Sequence, residues 1–238
     1  MSDGILHPAL FARDKRVVAG MTTRAFSAAD EVLAAARARL AGALGMGVAS
    51  VGQVHRADVV VVREPGHVDA HDGLVTDVPG LLLTVVSADC ALVLLADSEA
   101  GVCGACHSGW RGTVGGVLER TVSTMEELGA RADRMIAYVA PCISTEAFEV
   151  GEEVAAQFDD SVVVRRPGWP RPHVDLRAEL GRQLDALGVL PARREVAKAC
   201  TVADPTLYSY RASGGAAGRM IGYVGLRKAS AATEGEPE

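Results

Sequence analysis

An α+β domain is what the sequence predicts. Segments of strand character outnumber helical ones, and the two kinds do not alternate along the chain, which disfavours a regular βαβ wind. Apolar runs of strand length cluster in the first half, and amphipathic helical stretches are few. These observations predict a single domain with mixed β-sheets and helices packed outside them. Aromatic residues make up only 4% of the chain, so the core must be built from Val, Leu, Ala and Ile.

Residues 17–22 read as a short strand that ends in Thr22-Thr23-Arg24. Ser27 then has the character of a helix N-cap, with a helix through Ala28 to about Leu44, stopped by Gly45 and Gly47. Valines dominate residues 51–62, which predicts a strand region. Residues 81–86, 92–96 and 101–106 are three apolar runs of strand length. Gly109 to Gly112 predicts a turn.

The apolar steps of three and four over Val114, Val117, Leu118, Val122, Met125 and Leu128 predict one long helix over 113–128, with Gly129 as its stop. A strand over 135–139, short helices over 150–158 and 176–187, and a closing strand over 223–226 complete the chain. Residues 1–228 are expected to form the domain, and the small and acidic residues 229–238 a disordered tail.

The 238-residue chain carries a net charge of −6, without the basic footprint of a nucleic-acid binder. Its most apolar stretch, residues 81–96, contains Asp89 and falls short of a membrane span. The first residues lack the pattern of a signal peptide, and five cysteines imply no disulfide framework. A soluble cytoplasmic protein, monomer or homodimer, is the expectation.

His55 follows Gln53 and Val54. Cys90 follows Asp89 at the break between two apolar runs. His107 ends a third run and opens a glycine-rich turn. Two imidazoles and a thiolate suit zinc, and three protein ligands leave a fourth position for water or substrate, as in catalytic sites. A lone His or Cys is more often a core residue, and these three come from separate segments. Cys103-Gly104-Ala105-Cys106-His107 also spells C-x-x-C-H, the haem-attachment pattern. In a strand, however, residues three apart point to opposite faces, so the two cysteines read as small buried hydrophobes.

Gly109-Trp110-Arg111-Gly112 before a helix offers free N–H groups and a guanidinium to an anion, or serves only the turn. The polar stretch from Cys200 through Arg211 to Arg219 is either a surface loop or a wall of the site.

Taken together, these segments resemble the YfiH-like family, also known as laccase-domain or polyphenol-oxidase-like proteins and as peptidoglycan editing factors. The resemblance rests on Thr22-Thr23-Arg24, Gln53-Val54-His55, Asp72 to Thr76, Ala88-Asp89-Cys90, His107-Ser108-Gly109-Trp110-Arg111-Gly112 and Ala140-Pro141-Cys142-Ile143. It continues through Phe148-Glu149-Val150-Gly151, Asp175-Leu176, Cys200-Thr201, Tyr208-Ser209 with Arg211, and Gly218-Arg219, covering about residues 17–226. It implies a fold related to a bacterial deamidating toxin and zinc held by His55, Cys90 and His107. It also implies phosphorolysis of adenosine, inosine and methylthioadenosine, with adenosine deamination as well.

Purine nucleoside and phosphate would then be the small-molecule partners. Cys90, His107 and Arg111 would be catalytic, with Arg24, Arg111 and Arg211 for substrate and phosphate. Asp89 and His71 stand as acids only by position. The segment after Arg24 is shorter than the family's, Leu92 replaces a proline, and Ala212 replaces a second arginine. Three alternatives stay open: a copper phenol oxidase, a metal-free hydrolase with Cys90 as nucleophile and His107 as base, and a binding role in wall-precursor editing.

Overall fold

The computed structural model describes residues 4–26 and 31–228. In chain order its elements are β1 (Ile5–Leu6), β2 (Val17–Thr22), α1 (Leu33–Leu44), β3 (Gly47–Gly52), β4 (Val59–Val61), β5 (Gly66–Asp69), β6 (Gly73–Thr76), β7 (Leu81–Ser87), β8 (Ala91–Asp97) and β9 (Val102–Ser108). They continue with α2 (Trp110–Val114), α3 (Val117–Glu127), β10 (Ile136–Val139), α4 (Glu152–Ala155), β11 (Val163–Val164), β12 (His173–Val174), α5 (Leu176–Ala186), β13 (Arg194–Val196), α6 (Tyr210–Ser213) and β14 (Met220–Leu226).

Two six-stranded sheets stand face to face. One has the order β1-β2-β14-β7-β3-β5 and the other β13-β10-β8-β9-β6-β4. Both are mixed: β3 runs parallel to β5 and β7, β4 to β6, and β13 to β10, while the remaining pairs are antiparallel. The fold is therefore the expected single α+β domain with few helices.

Alternation along each strand assigns its residues to layers. Leu92, Leu94 and Ala96 of β8 meet Leu83 and Val85 of β7 between the sheets. Val93 and Leu95 point the other way, onto Val117, Leu118, Val122 and Met125 of α3 and Leu180 and Leu184 of α5. Ala36, Leu40 and Ala41 of α1 cover the opposite outer face, against Leu82, Ile221 and Tyr223. Cys103 lies in the inter-sheet core and Cys106 in the helix-side core, so the two thiols of the C-x-x-C-H pattern face apart. Leu92, in the place of the family's proline, fills the space between the sheets.

Three expectations are corrected. The valine-rich region over 51–62 is two strands, and the six residues between them form a loop. The long helix over 113–128 is broken. Gly116 adopts a left-handed φ of 81°, α2 begins earlier, at Trp110, and α3 begins at Val117. The helix expected from Ala28 starts at Leu33 with Val32 extended at its N-cap, and Gly45 ends it in the left-handed conformation as expected. Ser27 and the tail at 229–238 lie outside the described residues. Among the described residues no helix is long and apolar enough to cross a membrane.

Candidate metal centre and its cavity

His55 sits in the loop after β3, Cys90 in the turn from β7 to β8, and His107 in the last turn of pleat of β9. Their ligand atoms lie within 4.8 Å of one another, and the two imidazole rings meet edge to face at 4.8 Å between centroids. His107 is buried, Cys90 half-buried and His55 exposed, so the cluster opens outward on one side.

A buried carboxylate organises this group. Asp72, just before β6, is fully buried. Its Oδ1 accepts from the Nδ1 of His107 at 2.8 Å and from the amide of His55 at 3.0 Å. Its Oδ2 accepts from the amides of Val54 at 3.1 Å and Arg56 at 2.7 Å. Three successive amides wrapped around one anion form a nest, and such a nest needs left-handed backbone near its middle. His55 supplies it with φ of 60°. Asp72 thus bends the His55 loop and leaves Nε2 as the free nitrogen of His107, the arrangement that orients a ligating imidazole.

Asp89 has φ of 101°, a conformation costly for any side-chain-bearing residue, on the order of 1–3 kcal/mol. Its carboxylate accepts from the Thr201 hydroxyl at 2.5 Å and from the Arg211 amide at 2.7 Å, and its carbonyl from the Ile143 amide at 2.9 Å. These partners, distant in sequence, hold the tight turn that carries Cys90. Gln53 ties the end of β3 to β7 by exchanging two hydrogen bonds with the backbone of Val86. Gly109 lies against the cluster: a Cβ there would stand 2.9 Å from Cys90 Sγ and 3.5 Å from both imidazoles.

The electrostatics follow from this packing. Burial pushes the Cys90 thiol up, but hydrogen bonds and charge from His107 and His55 outweigh it and bring it to about 6. Burial pulls the His107 imidazolium down, but Asp72 and Cys90 raise it to about 9. Burial also raises Asp72, and its bonds to His107 and to the Arg56 and Val54 amides hold it below the ordinary carboxylate value. Without a metal, Cys90 and His107 therefore form a thiolate–imidazolium pair near neutral pH. By contrast, burial pushes Cys103 and Cys106 up to about 12 and Cys142 to about 11.

A direct prediction concerns thiol chemistry. In metal-free protein, alkylation of Cys90 should accelerate as pH rises through about 6, because the reactive thiolate gains population in that direction. Peptide mapping should find Cys103, Cys106 and Cys142 unmodified over the same interval. A Cys90 rate that begins to rise only near pH 8.5, like that of a free cysteine, would contradict the pair.

The donor set fits a metal ion. Two imidazoles and a thiolate already biased to its charged form converge on one side, and the supporting carboxylate is in place. The cluster lines a cavity of about 710 Å³, within the roughly 300–1,000 Å³ typical of small-molecule sites. Trp110, Ile143, Phe148 and Leu176 provide an apolar wall, and Tyr210, Arg211 and Arg219 another. The polar stretch after Cys200 is thus part of the cavity wall.

The arginines separate. Arg211 lines the cavity, with its guanidinium donating to the carbonyls of Ala147 and Glu149. Arg24 and Arg111 are not among the lining residues. Arg24 lies over the Tyr208 ring and donates to the Leu207 carbonyl, and Arg111 lies over Trp110. His71 is also absent from the lining. Asp72, Gln53 and Arg37 were missed as site residues. For Asp72 the signal was a lone carboxylate at the start of the buried strand 73–76.

The family model described as multi-copper polyphenol oxidoreductase laccase matches residues 22–227. A purine nucleoside phosphorylase of Deinococcus radiodurans is 45% identical over 197 residues, which are 80% of this chain and 76% of its own length. Adenosine deaminase RL5, from an unknown prokaryotic organism, is 34% identical over 214 residues, 81% of this chain and 82% of its own. The crystal structure of YlmD from Geobacillus stearothermophilus is similar with a TM-score of 0.82 at 26% identity, covering 96% of this chain and 98% of that one.

Proposed function

The chain belongs to the multi-copper polyphenol oxidoreductase laccase family, and from that membership we propose that it is a zinc-dependent purine nucleoside phosphorylase. Adenosine, inosine and methylthioadenosine are its substrates, and adenosine deamination is a second activity of the same cavity. The observation that carries this reading is the convergence of His55, Cys90 and His107 on the wall of a cavity of nucleoside scale. The names of the relatives support the substrate class.

His55, Cys90 and His107 would hold zinc, which would supply Lewis-acid polarisation and activation of water. In phosphorolysis the bond from C1′ to the purine nitrogen breaks and the base leaves with the electron pair, an oxygen of hydrogen phosphate bonds to C1′, and the proton that this phosphate gives up passes through solvent to the departing base. The chain's own contribution is positional. Asp72 and the Asp89 turn hold the three ligands, and Trp110 and Phe148 offer aromatic surface to a purine. Copper competes for the same donors. Among the described residues the His₂Cys set is the one such group, a set for a single ion.

A second reading draws on the Asp72–His107–Cys90 chain, which has the order of a carboxylate, a base and a nucleophile. It describes a metal-free cysteine hydrolase in which Asp72 orients the base.

One preparation tests both. Protein purified without added metal is expected to hold near-stoichiometric zinc and to release free base from inosine only when phosphate is present. A chelator should abolish turnover, and added zinc should restore it. Turnover that survives complete metal removal would support the cysteine hydrolase and defeat the zinc reading.

A further inference from the structure

The cavity has a second charged feature, apart from the metal ligands. Arg37 lies on α1, on the face turned to the sheet, and is only 9% exposed. It lines the cavity, yet its buried Nε–H meets no acceptor, and no carboxylate of the described residues pairs with it. Neighbours on α1 behave differently: Arg39, two residues on, is paired with Glu31 and donates to the Phe26 carbonyl. A guanidinium stays protonated in a protein, so it cannot escape burial by neutralising itself. A cation left in this state calls for a counter-charge that the described side chains do not supply.

The rest of the lining points the same way. Three arginines, Arg37, Arg211 and Arg219, face the cavity against a single carboxylate, Asp89. Both oxygens of Asp89 are engaged by Thr201 and the Arg211 amide. Arg219 spends one nitrogen on the carbonyls of Ala217 and Gly218. A protein with a net charge of −6 thus builds a cavity wall of opposite sign.

We propose that Arg37 is the anion-binding residue of this cavity and that its ligand is inorganic phosphate, the co-substrate. The assignment rests on the phosphorolysis reading given above. The planar fork of a guanidinium matches two phosphate oxygens, and burial strengthens the pair by excluding water. A neutral purine could hydrogen-bond to the fork but could not discharge it. The anion therefore binds at the α1 side of the cavity, and the nucleoside lies between it and the metal centre.

Zinc-loaded wild type, Arg37→Met and Arg37→Lys test the assignment. Methionine keeps much of the side chain's bulk without its charge, and lysine keeps a charge without the fork. Inorganic phosphate should raise the thermal midpoint of wild type and leave that of Arg37→Met unchanged. In phosphate-free buffer, Arg37→Met should be no less stable than wild type, since the substitution removes an uncompensated charge. In turnover, the phosphate KM should rise roughly 10- to 100-fold in Arg37→Met, with the nucleoside KM within about twofold. Arg37→Lys should fall between the two.

An Arg37→Met protein with an unaltered phosphate response overturns the assignment. So does a rise in nucleoside KM alone, which would mean that the fork reads the base. Should Arg37→Met fail to fold, Arg37→Lys with a wild-type phosphate KM overturns it equally. The two readings fail separately. Wild type that releases no base but gains stability from phosphate through Arg37 keeps the subsite and removes phosphorolysis. Turnover with an unchanged phosphate KM in the variants does the reverse.

Discussion

Asp72→Ala is expected to lower the thermal midpoint of the metal-free protein by on the order of 10 °C and to weaken metal binding at least tenfold. The carboxylate accepts four hydrogen bonds in a fully buried position, three from the amides of residues 54–56 and one from His107. Removing one partner of a buried charged pair costs about 3–5 kcal/mol, because the remaining group stays buried without compensation. For a domain of this size each kcal/mol moves the midpoint by roughly 2–4 °C. The same loss frees His107 to rotate and releases the left-handed turn at His55, so two of the three ligands lose their orientation. Loss of such a supporting group costs roughly 10- to 100-fold in metal affinity.

The pH dependence has a definite sign. Asp72 is held below its ordinary value in the folded chain, so it contributes stability above the unfolded carboxylate pKa of about 4. That contribution is lost as pH falls through the lower folded value. Metal-free wild type should lose stability over that acid interval more steeply than Asp72→Ala. Calorimetry or chemical denaturation with zinc titration measures both effects. A variant with wild-type midpoint and affinity would show that the nest and His107 do not depend on this carboxylate.

Gly109→Val is expected to weaken metal binding while the fold persists. The backbone at Gly109, φ −65° and ψ 166°, is open to any residue, so the requirement for glycine is one of space. A Cβ would sit 2.9 Å from Cys90 Sγ, inside contact distance, and against His55 and His107 at 3.5 Å. Overpacking of this kind costs about 1–3 kcal/mol, and here the strain falls on the ligands. Metal affinity should fall roughly 10- to 100-fold. The circular dichroism of the metal-free variant should match wild type, since Gly109 lies at the end of β9 and outside the cores. A zinc affinity equal to that of wild type would mean that the ligands can withdraw from the valine at no cost.

Much of this was legible in the order of residues, and some of it was not. Residues 81–86, 92–96 and 101–106 read as strands because their apolar runs are short, dense and bounded by turn residues. The two cysteines of the C-x-x-C-H pattern could be separated by strand periodicity alone, a local property. The helix over 113–128 was read as continuous because its apolar spacing continues across Gly115 and Gly116. The break arises where Gly116 turns left-handed, a conformation that glycine permits but does not require.

The arginines mark the boundary most clearly. Arg24, Arg37 and Arg111 are the same residue type, and each lies near a segment that builds the site. Whether a guanidinium caps a neighbouring ring, as Arg24 and Arg111 do, or remains buried without a partner, as Arg37 does, depends on which surfaces the sheets bring together. Asp72 is a similar case: a carboxylate becomes an organiser only when it is buried among donors from a loop 16–18 residues earlier and a strand 35 residues later.

The sequence by itself determined the strand-rich α+β class, the apolar runs of the cores and the types of the candidate ligands, because hydrophobic periodicity and residue chemistry are local. That His55, Cys90 and His107 meet was implied by the family resemblance and not by their spacing; only the tertiary structure decided that Asp72 holds two of them and that Arg37 faces the same cavity. Those facts depend on the stacking of two sheets whose strands come from across the chain, and long-range packing leaves no mark on the residues that it brings together.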